Sequence, residues 1–339
     1  MRKLIIQIPC YNEEQTLPVT LSALPRHVPG MDCVEWLVID DGSRDRTVAV
    51  AEEHGVDHIV RLPSHQGLSR AFVAGLDASL KAGALIIVNT DADNQYCADD
   101  IPKLIGPILN GDAQIVVGSR PIAEIDHFSP IKKLLQRAGS WITRVISKTD
   151  VEDAPSGFRA ISREAAMKLH VFNDHTYTIE TIIQAGQKGM AITSIPVRIN
   201  KELRPSRLVK SLFGYMNRQL LTMLRIFMTY KPFKFFAVQG VVLFSVGLLI
   251  GFRFVYYFVT EGSSGHVQSL ILAALLMGTG FFLGVVGLLA DLISVNRKLL
   301  EGLDWQLKKM EEGNNEKAAE AARLDPAGHS ADLDSTPKF

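Results

Sequence analysis

Residues 88–96 read Val-Asn-Thr-Asp-Ala-Asp-Asn-Gln-Tyr, and Asp91 and Asp93 follow directly on the apolar run Leu85-Ile86-Ile87-Val88. A short apolar run of this kind reads as a buried strand, so the two acids emerge where the strand becomes a loop. Open α/β sheets bind their ligands beyond the carboxyl ends of the strands. Hard divalent cations such as Mg²⁺ are held there by one or two carboxylates plus the oxygens of a substrate phosphate. The pair therefore points to a nucleoside diphosphate gripped through a metal. The competing reading is a solvated polar turn, where Asp-x-Asp also occurs.

Three further clusters occupy the same kind of place. Pro9-Cys10-Tyr11-Asn12-Glu13 closes the apolar run 4–8, Asp40-Asp41-Gly42-Ser43 closes 34–39, and Gly118-Ser119-Arg120 closes 113–118. Four clusters on one sheet edge are more than isolated turns explain. Helices are expected over 14–24, with Pro18 in its first turn, over 47–54 capped by Ser43 or Asp45, and over 69–82, 99–109 and 178–189. A short strand is expected at 59–61. Strands alternating with such helices indicate βαβ units and a largely parallel sheet. No Gly-x-Gly-x-x-Gly follows the first strand and no Walker lysine loop occurs, which disfavours dinucleotide and P-loop folds.

The chain has 339 residues and 47% hydrophobic content, room for one large domain and something more. The addition is membrane. Residues 235–252 carry no charge, the apolar character resumes after Arg253 to 259, and 267–290 is a second uncharged run. Each approaches the roughly 20 residues that a helix needs to cross a hydrocarbon core about 30 Å thick. The connection Glu261-Gly262-Ser263-Ser264-Gly265-His266 lacks Lys and Arg, whereas Arg225, Lys231 and Lys234 precede the first run and Arg297 and Lys298 follow the second. The positive-inside rule then places both flanks, and the amino-terminal domain, in the cytoplasm. No signal peptide is expected. Three widely spaced Cys residues fit reduced thiols.

The formal net charge is zero. No nucleic-acid partner is expected, and the basic block between Arg198 and Lys234 suits anionic lipid headgroups, at about 1 kcal/mol per residue. Within it Leu208, Leu212, Met216, Leu220, Leu224 and Phe227 recur at helical spacing. That helix either lies in the membrane interface or packs on the soluble domain. Beyond Glu311 the acidic, polar tail is expected to be disordered. Arg253, roughly 9 Å from the outer end of its span at 1.5 Å per residue, suits snorkelling more than lipid passage. Gly247-x-x-x-Gly251 and Gly280-x-x-x-Gly284 are spaced to pack the spans together or to join copies into a homo-oligomer. The expected division is a soluble domain over 1–200, a basic juxtamembrane segment over 201–234, two spans within 235–294 and a cytosolic tail over 295–339.

The order of motifs resembles the membrane-associated family 2 glycosyltransferases of the dolichol-phosphate mannose synthase type, including bacterial polyprenyl-phosphate glucosyltransferases with two transmembrane helices. The residues that carry it are Pro9-x-Tyr11-Asn12-Glu13, Asp40-Asp41-Gly42-Ser43, Gly67-x-x-x-Ala71, Asp91-Ala92-Asp93-x-Gln95, Gly118-Ser119-Arg120 and Ser156-Gly157-Phe158-Arg159. The resemblance spans roughly residues 3–300. It implies a GT-A, Rossmann-like fold and inverting transfer of a sugar from a nucleotide-sugar to polyprenyl phosphate, with Mg²⁺ or Mn²⁺.

On this alignment Pro9, Tyr11, Glu13, Ile39, Asp41, Asp91, Ala92, Asp93 and Gln95 would receive the nucleotide-sugar, and Asp91, Asp93 and Gln95 the metal. Asp91, Asp93 and Arg120 would be the catalytic set. Candidates for the acceptor phosphate are Arg120, Arg137, Ser140, Arg204 and Arg207. Asp153, Ser156, Gly157, Arg159 and Glu180 would form the sugar and acceptor loop, with an Arg159–acid pair holding that loop as the structural alternative.

The chain also departs from the family pattern. His65 stands where Asn is frequent, and Lys201, Arg204 and Arg207 replace Arg, Gly and Lys of a juxtamembrane motif. No Gln-x-x-Arg-Trp occurs, which argues for single-sugar transfer. A phosphate acceptor is already anionic at pH 7, its second pKa being about 6, so no general base is required. The alternative function is a catalytically silent membrane protein that recruits partners or helps lipid-linked sugars across. Neither the sugar nor the base is legible.

Overall fold

The apolar runs become strands of one seven-stranded sheet. The computed structural model describes residues 1–121, 139–141, 143–171, 177–201, 224–225, 228, 230–262 and 267–324. The strands are β1 (Lys3–Cys10), β2 (Cys33–Asp40), β3 (His58–Arg61), β4 (Ile86–Asn89), β5 (Ile115–Ser119), β6 (Arg159–Ser162) and β7 (Ile192–Pro196), in the order β3-β2-β1-β4-β6-β5-β7. Every pairing is parallel except those of β6, which runs antiparallel to β4 and β5. Strands β4 and β5 are buried throughout, as parallel strands covered on both faces must be.

Alternate residues of each strand feed two cores. Leu4, Ile6 and Ile8 pack with Leu17 and Leu21 of α1 (Leu17–Ala23) and Leu104 of α4 (Ile101–Leu109). Ile5, Ile39, Ile87 and Val117 pack with Phe72 and Leu76 of α3 (Leu68–Lys81) and Ile182 and Ile183 of α6 (Tyr177–Gln187). Two short helices, α2 (Thr47–Glu53) and α5 (Arg163–Lys168), complete the layers. This is a mixed, mostly parallel, Rossmann-like GT-A sheet.

The sequence pattern did not announce β6, since Ser156-Gly157-Phe158-Arg159 reads as a loop cluster. Its direction matters. Arg159, the first residue of β6, sits opposite Asn89 of β4 and Val117 of β5. The loop entering β6 therefore opens on the edge where the parallel strands β1, β2, β4 and β5 end.

After β7 the chain runs back along the loop that follows β4. The Cys97 amide donates to the Arg198 carbonyl at 3.1 Å, and Tyr96 bridges Ile199. Asp100, fully buried before α4, accepts from the Arg198 amide at 2.8 Å, its guanidinium at 3.0 Å and Lys103 at 2.9 Å. Burial alone would raise this carboxyl, but the Arg198 and Lys103 contacts outweigh it and hold it at about 2.

The chain divides into Met1–Phe235 and Phe236–Phe339. Helices α7 (Pro232–Glu261) and α8 (Val267–Leu324) are both long and apolar enough to cross a membrane. A Cβ added at Gly280 would lie 2.6 Å from the Gly240 carbonyl, and one at Gly247 would lie 2.9 Å from the Ala273 carbonyl. Gly247 and Gly280 thus let the two helices of this hairpin touch backbone to backbone, whereas nothing lies within 4 Å of such an atom at Gly284. Arg253 places its guanidinium over the Tyr257 ring at 5.5 Å.

One difference from expectation is that α8 continues to Leu324, through the first half of the tail. Leu, Glu, Lys and Ala dominate that stretch and favour helix, and Arg297 reaches Glu301 one turn on at 3.5 Å. Arg137, Arg204, Arg207, most of the amphipathic segment over 203–227 and most of the hairpin loop lie outside the described residues.

Asp100 has a folded pKa below its unfolded one, so it adds stability that is present above about pH 4 and lost as pH falls toward about 2. Asp100→Asn is expected to melt below the wild type at pH 7. The gap should close as the pH falls from about 4 to about 2, as thermal unfolding across that range would record.

Candidate active site

The site is built outward from the end of β4. Asp91 and Asp93 are both half-buried, and the Asp93 Oδ1 accepts the Gln95 amide at 3.1 Å, closing a turn in which Asn94 has φ 55°. The Ala92 carbonyl accepts the Thr20 hydroxyl at 2.9 Å, tying the loop to α1. Among the described residues no hydrogen-bond donor reaches the Asp91 carboxylate. Burial, then the nearby Asp93 charge, push Asp91 up to about 7, against the opposing pull of Arg120 and Arg159.

Beneath Asp91 lies a buried polar frame. Asn89 accepts from Gln7 Nε2 at 2.9 Å and donates to the Gly157 carbonyl at 2.9 Å and the Tyr177 hydroxyl at 3.0 Å. The Gly157 amide donates to the Tyr96 hydroxyl at 3.1 Å. Tyr177 stacks on Phe72 and Tyr96 on Phe158. Burial raises both phenols, Tyr96 to about 12, so both stay neutral donors and acceptors. A Cβ at Gly157 would stand 2.8 and 3.0 Å from the two Asp91 carboxylate oxygens. Gly157 thus lets the backbone approach the Asp91 carboxylate closely.

Two cations flank the acids. Arg120, following β5, donates Nε to Asp153 Oδ2 at 2.7 Å and Nη2 to Asp153 Oδ1 at 3.1 Å, while its amide also donates to Asp153. Asp153 is fully buried, so the pair is a bidentate fork that fixes the guanidinium. Arg159 is buried completely and donates to the Thr178 carbonyl at 3.1 Å, the Thr181 hydroxyl at 2.5 Å and the Ser156 carbonyl. Its guanidinium lies 5.3 Å from the Tyr177 ring. The structural alternative named for it, an acid pair, is not what forms: no carboxylate pairs with Arg159 among the described residues. Burial lowers its pKa.

The loops after β1 and β2 are stitched together. The Asn12 amide donates to Ser43 Oγ at 2.9 Å, the Glu13 amide to Thr47 Oγ1 at 2.8 Å, and the Arg44 amide to Asn12 Oδ1 at 2.8 Å. Buried Asp41 accepts the Gln66 amide at 2.7 Å, the Gly67 amide at 2.9 Å and His65 Nδ1 at 2.7 Å. The Tyr11 and His65 rings stack at 3.8 Å. Glu13 accepts the Thr16 hydroxyl at 2.6 Å. Glu13 therefore organises the loop after β1 that carries Tyr11, and Asp41 the loop before α3 that carries His65.

Pro9 and Ile39 pair across β1 and β2, and the Ile39 side chain is buried under α3, near Gly75. Ser140 is buried with its hydroxyl on the Ala154 amide at 3.3 Å. Glu180 is buried and accepts the Tyr230 hydroxyl at 2.8 Å. Asn89, Tyr96, Tyr177 and Asn200 were missed by the sequence reading. For the first the signal was available: a polar residue closing an apolar strand two residues before the first acid.

Comparison with known proteins places this sheet and its polar edge in a family. Residues 5–169 match the family model described as glycosyl transferase family 2. An undecaprenyl-phosphate mannosyltransferase of Micrococcus luteus is 29% identical over 226 residues, covering 63% of this chain and 90% of the relative. A UDP-N-acetylglucosamine–dolichyl-phosphate N-acetylglucosaminyltransferase of Methanococcus voltae is 30% identical, covering 56% and 83%. A crystal structure of Mycobacterium tuberculosis glucosyl-3-phosphoglycerate synthase with Mn²⁺, uridine diphosphate and phosphoglyceric acid superposes with a TM-score of 0.50 at 23% identity, over 66% of this chain and 77% of that one. The chain belongs to glycosyl transferase family 2 and is a glycosyltransferase.

Two outcomes follow from the crowding around Asp91. Its folded pKa is raised above the unfolded value, so in metal-free protein it costs stability that is lost as pH rises from about 4 to about 7. Asp91→Asn is expected to melt roughly 3 °C or more above the wild type at pH 8 in chelator, and no higher at pH 4. Gly157→Ala should displace the Asp91 carboxylate and cut kcat/KM by about 10-fold or more. A circular-dichroism spectrum matching the wild type would separate that loss from misfolding.

Proposed function

We propose that this glycosyltransferase moves one sugar from a nucleotide-sugar to the phosphate of a polyprenyl lipid at the cytoplasmic face of a membrane. The observation that carries the reading is the placement of Asp91 and Asp93, two crowded carboxylates at the ligand edge of the sheet, in a chain with two helices of membrane-crossing length.

The residues fit a hard divalent ion. Asp91 and Asp93 offer oxygen ligands only, and among the described residues no third His, Cys, Asp or Glu joins them, which leaves the rest of the shell to substrate oxygens. Mg²⁺ or Mn²⁺ would be held by Asp91, Asp93 and the Gln95 side chain, and when bound it would draw charge from the departing nucleoside diphosphate. Asp91 and Asp93 take no proton in this scheme, because the lipid phosphate is already anionic.

The remaining residues bind and orient. Pro9, Tyr11, Glu13 and Asp41 frame the base and ribose, with the Tyr11–His65 ring pair as an aromatic surface for the base. Arg120 is held by Asp153 in one orientation, so its positive charge faces the reacting phosphates without reorganisation at the moment of transfer. Arg137, Arg204 and Arg207 are the further cations for the lipid phosphate. The relatives support the acceptor class, being named for polyprenyl or dolichyl phosphate. Their sugars differ, so GDP-mannose and UDP-hexoses are both candidate donors.

The test is mass spectrometry of lipid products after detergent-purified protein meets polyprenyl phosphate, Mn²⁺ and a panel of nucleotide-sugars. A mono-glycosylated phospholipid is expected from one donor, and no sugar-lipid from any donor would sink the reading. Asp93→Asn should lower kcat/KM by about 100-fold or more, since a bound ion's charge stabilisation is worth several kcal/mol. Near-normal turnover would remove the metal grip.

A further inference from the structure

We propose that Asn200, outside every motif of the family, is the positioning residue of the acidic loop and sets its affinity for the divalent ion. The inference rests on reading Asp91 and Asp93 as a metal grip.

The loop after β4 turns at Asn94, beside Asp93, whose φ of 55° is a left-handed conformation that Asn adopts more readily than other residues with a Cβ. Asn200 braces that turn from outside. Its amide N–H donates to the Gln95 carbonyl at 2.9 Å, and its Nδ2 donates to the Asn94 carbonyl at 3.0 Å and the Tyr96 carbonyl at 3.1 Å. The Asn94 Oδ1 lies a further 3.4 Å away from the same Nδ2. One residue thus engages three consecutive carbonyls of the loop.

Its influence reaches both acids. Asp93 is adjacent to Asn94 and closes its turn on the Gln95 amide. Asp91 is reached from the other end, because the Tyr96 hydroxyl holds the Gly157 amide, and Gly157 abuts the Asp91 carboxylate. Arg198, two residues before Asn200, is locked on Asp100 and fixes the register of the contact.

The side chain is chemically specific. An Asp at 200 has the same shape, but it would turn acceptor oxygens toward carbonyls that need a donor. Outer partners that orient metal ligands typically matter by about 10- to 100-fold in metal affinity.

The test is Mn²⁺ binding to the full-length protein in detergent with uridine or guanosine diphosphate, read from the free-Mn²⁺ electron paramagnetic resonance signal. The variants are Asn200→Asp and Asn200→Ser, the latter keeping one donor hydrogen should the former not fold. Ser162→Ala is the control: it removes the Ser162 cap of α5 at the opposite end of β6. Asn200→Asp is expected to weaken Mn²⁺ by about 10-fold or more, with Asn200→Ser between it and the wild type. Excess Mn²⁺ should restore kcat. Ser162→Ala should lower the melting temperature and leave Mn²⁺ affinity unchanged. Wild-type affinity in both Asn200 variants would overturn the inference and leave the metal grip standing, whereas absence of Mn²⁺ binding by the wild type would overturn the grip itself and the inference with it.

Discussion

Two carboxylates one residue apart, half sunk into the edge of a sheet, repel each other more strongly than they would in water. The surrounding structure tolerates that repulsion and keeps the pair together. Asn89, Tyr177, Tyr96 and the Gly157 backbone make a hydrogen-bonded floor in which the buried groups satisfy one another. Arg120 and Arg159 lend positive charge from two sides, yet among the described residues neither forms a salt bridge with Asp91 or Asp93: one is committed to Asp153, the other to neutral oxygens. An excess of negative charge is left at the centre, which suits a cation arriving with its substrate.

Much of this was legible in the sequence, and for identifiable reasons. Parallel strands buried on both faces leave continuous apolar runs, so β1, β2, β4 and β5 and the polar clusters at their ends stood out. Strands β6 and β7 did not. Each is short, Arg159 opens one of them with a charge, and β7 is only half-buried, so neither has the pattern of a core strand. The apolar spans were evident from length alone, but the continuation of α8 was hidden because a polar, acidic composition suits both a solvated helix and a disordered tail.

Acids at this edge also act as builders. Asp41 and Asp153, read from the sequence as ligand contacts, hold the loop before α3 and Arg120, and Asp100, in no motif at all, holds the Arg198 backbone. A motif records that a carboxylate is needed and cannot record whether it faces the substrate or the loop that faces the substrate. Only the hydrogen-bond partners separate the two. The same limit hid Asn200, whose partners lie more than a hundred residues earlier in the chain.

The contact between Glu180 and Tyr230 bears on how this enzyme can be handled. Tyr230 lies just before α7, and with Lys231, whose ammonium donates to the Ile146 carbonyl at 2.8 Å, it fastens the approach to the membrane onto the catalytic domain. A soluble fragment cut upstream of the apolar helices, anywhere before residue 230, would lose the phenol that hydrogen-bonds both the buried Glu180 carboxylate and the Gln184 amide. The natural seam of the protein therefore lies after Lys231, at the threshold of α7, and a truncation that respects it has to keep the residues that lead into that helix.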